Sequence, residues 1–336
     1  MKIILSSLLP FILSIIVYVT TSSGNMHYFF GVVFPYSAFF IFMTGFIYKI
    51  IDWSSSPVPF NITTTTGQAE SLKWIKQNKL ESPAGTISVI GRMAMEILFF
   101  RSLFRNTKHY SNNETPGYGP EKSLWLFSLM FHYSFLFIAV RHLRFFIQPV
   151  PQIIQLLESF DGMLQVATPV LYLTDLALVI GVTILLARRV ILPNIRYISL
   201  PADYIPLFII LFIALSGIVM RYITRVDIIS IQAMTMGLVT FHPVIPANID
   251  PLLFVHLFLV SFLFIYFPFS KLMHMGGIFF SPTRNIAANS RRVRHINPWN
   301  YDVKVHTYEE YEEDFKEMMK SAGLPVENDH SQENIK

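Results

Sequence analysis

Four histidines stand where an ionisable residue is expensive. His132 and His142 lie in the apolar stretch FHYSFLFIAVRH, while His256 opens and His274 follows the stretch HLFLVSFLFIYFPFSK. Ionisable groups within an apolar span are rare, face the interior of a bundle and mark function. Two helices with two histidines each is the arrangement of two b-type haems held between facing helices, one imidazole from each helix on each iron. A proton pathway is the competing chemistry. It would mix histidine with buried carboxylates, and Asp175 is the one acid inside an expected span. The plainest alternative is that each histidine is a polar residue satisfied by a neighbour. The chain contains no cysteine. Disulfides, thiolate nucleophiles, Cys-ligated iron–sulfur clusters and covalently attached c-type haem are therefore excluded.

The elements that must position these rings follow from composition. Of 336 residues 52% are apolar and 14% charged, against about 25% charged in a soluble domain. Mean hydropathy is +0.46. The charges are segregated: residues 52–122 hold 14 and residues 271–336 hold 19 of the 48. Polar blocks separated by apolar spans describe a protein whose solvent is the lipid bilayer. A soluble enzyme, a secreted disulfide scaffold and a nucleic-acid binder do not fit. A span needs about 20 apolar residues, and six stretches qualify: 3–20, 27–50, 124–147, 167–187, 205–222 and 251–270. The first lacks a small-residue cleavage site and is long for a signal core, so it reads as an anchor. Lys and Arg near the spans set orientation. With the N-terminus inside, 22 of the 26 basic residues are cytoplasmic; the outer face holds Arg141, Arg144, Arg221 and Arg225. The expected fold is an all-α, multi-pass bundle of six transmembrane helices in the cytoplasmic membrane, with both termini cytoplasmic. It divides into an anchor (1–26), a membrane domain (27–280, with the cytoplasmic loop 52–122) and a cytoplasmic tail (281–336).

This topology makes the third and sixth spans antiparallel, so ligands must pair crosswise: His142 with His256 near the outer face, His132 with His274 near the cytoplasmic face. Ten residues of helix rise about 15 Å and eighteen about 27 Å. Tilt and a kink at Pro268 would have to absorb the difference. The outer arginines suit haem propionates or quinone carbonyls, because guanidinium binds carboxylate bidentately; snorkelling to head groups is the alternative.

Two segments lie outside the spans. In residues 84–105, Ile90, Ala94, Ile97 and Phe100 fall on one stripe, with an i,i+4 pair Arg92–Glu96 and a cationic pair Arg101–Arg105. This reads as a helix along the cytoplasmic interface, either a connector or a docking surface for a cytoplasmic subunit. Residues 281–300, with Arg284, Arg291, Arg292 and Arg294, form a basic flank beside anionic lipid. Residues 301–320 are acidic and interleaved with Tyr301, Tyr308, Tyr311 and Phe315. They read as a solvated tail or a helix that docks a partner.

Paired histidines ten apart on one helix and eighteen apart on the last resemble the nitrate reductase gamma-subunit family of dihaem cytochromes b, and within it the DsrM-type subunits associated with dissimilatory sulfite reduction. HYSFLFIAVRHLRFF (132–146) and HLFLVSFLFIYFPFSKLMH (256–274) carry the likeness, which covers about residues 27–280. The first span is additional to the five-span nitrate reductase subunit. The resemblance implies menaquinol oxidation at the outer side, with electrons passing through an outer haem (His142, His256) and an inner haem (His132, His274). Their acceptor would be an iron–sulfur subunit related to heterodisulfide reductase on the cytoplasmic face, within a larger membrane redox complex. The chain itself would be an electron-transfer subunit with no catalytic residue beyond the quinone step. A heterodisulfide reductase or nitrate reductase type complex is the alternative context, and a His-based proton or solute transporter the alternative class. The likeness has a gap: the family has Gly before the second His and a Lys on the next helix near the quinone. Here Arg141 precedes His142 and the fourth span opens without Lys, so the quinone pocket does not carry over residue by residue. His27, Arg141, Arg144, Arg221 and His242 are candidates by depth.

Overall fold

The computed structural model describes residues 2–56, 74, 78–112, 115–164, 168–289 and 305–327. Arg291, Arg292, Arg294 and Tyr301 of the tail reading lie outside these. The chain divides into two compact units, residues 1–295 and 296–336. Among the described residues, five helices are long and apolar enough to cross a membrane: Lys2–Ser22, Phe29–Ser54, Lys122–Phe145, Pro201–Thr224 and Pro251–Phe269.

The first of these, α1 (Lys2–Ser22), shows how a lipid-facing helix inverts the soluble pattern. It buries Ser6, Pro10, Val17 and Thr21, spaced four or seven residues apart, and exposes Ile4, Leu5 and Val19. Small side chains let helices approach closely where lipid is as apolar as leucine. The buried hydroxyls donate within the helix, Ser6 to Lys2 O at 2.9 Å and Thr21 to Val17 O at 2.7 Å. A π-turn (Phe29–Val33) leads into α2 (Phe34–Ser54).

In α3 (Thr86–Phe99) the charges point inward. Arg92 and Glu96 are 3% and 4% exposed, whereas Ile87 and Ile90 are 87% and 63% exposed. The expected Arg92–Glu96 pair does not form. Arg92 reaches Glu81, while Glu96 accepts from the Ser102 backbone N–H and hydroxyl and faces Arg101 and Arg284. Arg101 and Arg105 also converge on Glu81. Burial would raise the Glu81 carboxyl; the Arg101 hydrogen bond and the charges of Arg105, Arg101 and Arg92 outweigh it and hold the group below its ordinary value. Phe100 does not extend the apolar stripe, because it leaves the helix in the left-handed region at φ 50° and redirects the chain into α4 (Arg101–Phe104). A short hairpin follows, β1 (Thr107–Asn112) antiparallel to β2 (Thr115–Pro120).

The next element, α5 (Lys122–His142), carries the first two histidines. After α6 (Gln152–Asp161) comes α7 (Leu173–Ile191), then α8 (Pro193–Ile198) and α9 (Pro201–Ile218), which runs on as a π-turn over Val219–Thr224. The expected fourth span corresponds to α7. It has 19 residues but carries Asp175, Arg188 and Arg189 near its ends, and it is not one of the five. Asp175 is also not alone: α9 starts early enough to include Asp203, which pairs with Lys271 at 2.6 Å. The short apolar helix α10 (Ile228–Val239) precedes α11 (Pro251–Tyr266).

The centre of the unit is α11, packed on α1, α2 and α9. Phe254, Val255, Phe258 and Leu259 join Val17, Phe30, Met220 and Met234 in one apolar cluster, and Leu263 joins Leu178, Val182, Ile209 and Ile210 in another. The helix ends at Tyr266. Pro268 lies in a 3-10 turn (Phe267–Phe269), Ser270 is extended, and the chain recoils through Lys271–Met273 into α12 (His274–Gly277) and α13 (Pro282–Asn285). A continuous helix from His256 to His274 is thereby interrupted, which answers the mismatch of 15 and 27 Å: the second histidine is folded back rather than carried onward. Gly45 of α2 makes this possible, since a Cβ there would stand 2.7 Å from the Pro268 Cβ. Gly45→Ala is expected to lower stability by about 1–3 kcal/mol, read as the thermal midpoint of the purified chain.

The second unit contains α14 (Tyr308–Ser321), started by a reciprocal capping box between Thr307 and Glu310. Tyr308, Tyr311, Phe315 and Met318 form an exposed stripe along it.

Candidate functional site

The packing partners of α5 and α11 differ. α5 rests on α7, whereas α11 rests on α1, α2 and α9. Across the space between α5 on one side and α11 and α12 on the other, the histidines face one another in two levels. The His142 and His256 rings stand 6.3 Å apart, centroid to centroid, with planes 10° from parallel. The His132 and His274 rings stand 6.0 Å apart with planes at 87°. The two levels are ten residues, or about 15 Å, apart along α5.

Each ring is held through the same nitrogen. His132 Nδ1 meets Ser128 O at 2.7 Å, His142 Nδ1 meets Ile138 O at 2.7 Å and His274 Nδ1 meets Lys271 O at 2.9 Å. A carbonyl can only accept, so these nitrogens carry the proton. His256 Nδ1 meets the Ser216 hydroxyl at 2.9 Å, and that hydroxyl is also placed to donate to Ile213 O, which leaves its oxygen to accept from His256. In its neutral form each ring then presents an unprotonated Nε2. Fixing the tautomer through the remote N–H is the usual outer-shell support of a metal-ligating histidine.

Two imidazoles on opposite sides of one metal, each through a nitrogen about 2.0–2.1 Å from it, put their centroids about 6.3–6.5 Å apart. The His142–His256 separation meets that requirement, and the His132–His274 separation falls about 0.3 Å short of it. Room is also present: His142 and His274 keep solvent-accessible surface. A Cβ at Gly217 of α9 would stand 3.4 Å from the His256 ring, at van der Waals contact. Among the described residues no three His, Cys, Asp or Glu groups converge to enclose a bare metal ion. The donor set suits a metal whose other ligands arrive with it, as the four pyrrole nitrogens of a haem do.

Below, Phe131 and Phe100 close on His132, edge to face at 4.8 and 5.0 Å. Phe100 gets there because Trp125 and Tyr133 of α5 donate to Phe99 O and Leu98 O, each at 2.8 Å. Nothing in the periodicity of residues 84–105 announced this, since it depends on a left-handed turn at a non-glycine residue.

At the opposite end, Arg141 is buried between two acids. It lies 3.1 Å from Asp161 and 2.5 Å from Asp175, with its guanidinium 3.8 Å over the Tyr172 ring. Asp161 also accepts from the Thr174 backbone N–H and hydroxyl, and Tyr222 donates to Asp175 at 2.9 Å. Arg144 pairs with Glu158 at 2.9 Å. Arg221 stacks against Tyr172 at 4.1 Å and donates to Val170 O; Arg225 donates to Thr168 O. Arg221 sits in the π-turn, and Arg225, just past it, is left-handed at φ 53°. Arg221 Nε is buried without a hydrogen-bond partner among the described residues. Of the remaining depth candidates, His27 meets Thr21 O through Nε2 at 2.8 Å and stacks on Phe254, and His242 meets Thr240 O. Neither joins the two histidine levels.

Sequence comparison identifies the scaffold. The nitrate reductase gamma subunit profile matches residues 93–295, which include all four histidines. The chain belongs to the nitrate reductase gamma-subunit family. It is 44% identical over 278 residues (81% of this chain, 83% of the relative) to a protein of Archaeoglobus fulgidus described as an Hdr-like menaquinol oxidoreductase cytochrome b-like subunit. A protein of the same description from Archaeoglobus profundus is 41% identical over 274 residues, or 79% and 81% of the two chains. The family's membrane character agrees with the five apolar helices. Sequence reasoning named the histidines and arginines but missed the residues that hold them. Ser216, Asp161, Tyr172 and Tyr222 carry no spacing signal, because each acts across helices.

Proposed function

We propose that this chain is a dihaem b, quinol-oxidising membrane subunit. It takes electrons from menaquinol at the end bearing Arg141, Arg144, Arg221 and Arg225 and delivers them to an iron–sulfur, heterodisulfide-reductase-like subunit at the cytoplasmic face. The facing histidine pairs, all tied through Nδ1, are the observation that carries the reading. His142 with His256 and His132 with His274 would each hold one haem b; the bound groups supply a one-electron relay across the bilayer. The names of the two Archaeoglobus relatives support menaquinol as the donor and a multi-subunit complex as the setting. The DsrM-type context in dissimilatory sulfur metabolism is the finer assignment we favour.

The chain's own residues do the positioning. Arg221, bonded to Val170 O and to the Tyr222 hydroxyl, and Arg225, bonded to Thr168 O, have donors left for a propionate or a quinone oxygen. Arg141 and Arg144 already serve carboxylates and organise the same end. A sixth span, α7, completes the proposed topology with both termini cytoplasmic. It packs on α5 and α9, both long enough to cross, and two of its three terminal charges are paired, Asp175 with Arg141 and Arg188 with Glu121, while Arg189 donates to the Ser199 hydroxyl. A proton or solute transporter is less well supported, because the intramembrane acids Asp175 and Asp203 are occupied by Arg141 and Lys271.

Reduction of the purified chain's haem by a menaquinol analogue, but not by a reduced phenazine, tests the donor; the reverse preference would move the chain to another context. Ser216→Ala removes the acceptor that fixes His256. Outer-shell losses of this kind lower metal affinity about 10–100-fold, so one of the two haems is expected to wash out in detergent while the other stays.

A further inference from the structure

We infer that this chain binds the phosphate headgroup of an anionic phospholipid in a cleft between α1, α8 and α9, far from the histidine pairs in function and independent of them. The cleft encloses about 540 Å³ and is lined by Lys2, Ile3, Pro193, Arg196, Tyr197 and Tyr204. Two cations face it. Their tethers within the chain are weak, Lys2 Nζ to Ser199 O at 3.3 Å and Arg196 to Val190 O at 3.4 Å, which leaves most of their donors free. Arg189 lies behind them, donating to the Ser199 hydroxyl, and the Tyr204 hydroxyl donates to Arg189 O. No acid lines the cleft among the described residues. Asp203, next to Tyr204, is taken by Lys271 and by the Leu200 backbone N–H.

The surroundings decide between a free anion and a lipid. On α8 Tyr197 and Ile198 are 87% and 73% exposed, and Ile191 and Leu200 flank them, also exposed. Exposed tyrosine and aliphatic side chains beside cations, at the end of a membrane helix, mark the depth of lipid head groups. Ile3 and Pro193 offer apolar wall to the start of an acyl chain. Basic pockets between helices at the cytoplasmic end take anionic head groups in this way.

Native mass spectrometry of the full chain, titrated in detergent with dioleoylphosphatidylglycerol or dioleoylphosphatidylcholine, tests the site. The phosphatidylglycerol adduct is expected at about thirtyfold lower concentration, each cation contributing about fivefold. Lys2→Gln with Arg196→Gln should erase that preference, Lys49→Gln should retain it, and millimolar inorganic phosphate should not displace the lipid. Equal adducts for the two lipids, an unchanged preference in the double variant, or displacement by phosphate alone would overturn the assignment. Haem content of the double variant reports that it has folded.

Discussion

Replacing either His142 or His256 by alanine is expected to halve the haem of the purified chain and leave the other level filled. The two rings face each other at 6.3 Å and belong to different helices, so on the proposed reading each would supply half of one axial pair. A single remaining imidazole gives up a coordinate bond and leaves the partner Nε2 unsatisfied. The level at His132 and His274 lies about 15 Å away and rests on other contacts, with Phe100 and Phe131 around it. Pyridine haemochrome on wild type and on the two variants reads the stoichiometry directly. Loss of both haems together would argue for one coupled site, and retention of both would remove His142 and His256 from the ligand set.

The largest loss of stability is expected at Arg141. Its guanidinium stands within 3.1 Å of Asp161 and 2.5 Å of Asp175 and covers Tyr172. Arg141→Ala would leave two carboxylates buried beside each other without a cation. Breaking a buried pair from one side costs about 3–5 kcal/mol, whereas replacing all partners together by neutral groups is often close to neutral. The single variant should therefore accumulate poorly and unfold early, and Arg141→Met combined with Asp161→Asn and Asp175→Asn should recover most of the thermal midpoint. If the single variant were as stable as wild type, the triad would hold nothing together. If the triple variant recovers stability but loses the haem at His142, the charge at Arg141 serves the cofactor as well as the fold.

How much of this was legible follows from the kind of information each part needs. Histidine in an apolar span is locally expensive, so the four rings stood out from residue type alone. Opposite chain directions then dictated which would face which. Composition likewise exposed the membrane helices, but α7 reads differently by length and by charge because its acid and its arginines sit at its ends. The recoil at Pro268 was foreseeable as a kink and not as a complete break, which also depends on Ser270 being extended and on Gly45 yielding space. In α3 the periodicity found the apolar stripe and misassigned its partners. The i,i+4 rule assumes that exposed charges pair along a helix, whereas here Glu81 and Arg284 compete from outside it and bury Arg92 and Glu96. Tertiary hydrogen bonds such as Ser216 to His256 leave no local trace at all.

Low-temperature EPR of the oxidised full chain tests the central claim most directly, because the two levels differ in ring orientation: 10° between the His142 and His256 planes, 87° between those of His132 and His274. Parallel axial imidazoles split the iron orbitals they bond to and give a rhombic low-spin ferric signal; perpendicular ones leave those orbitals nearly degenerate and give a strongly anisotropic signal. Both signals are expected in equal amounts, with the rhombic one absent from His142→Ala. A chain without haem, a single low-spin species, or loss of the anisotropic signal in that variant would contradict that claim.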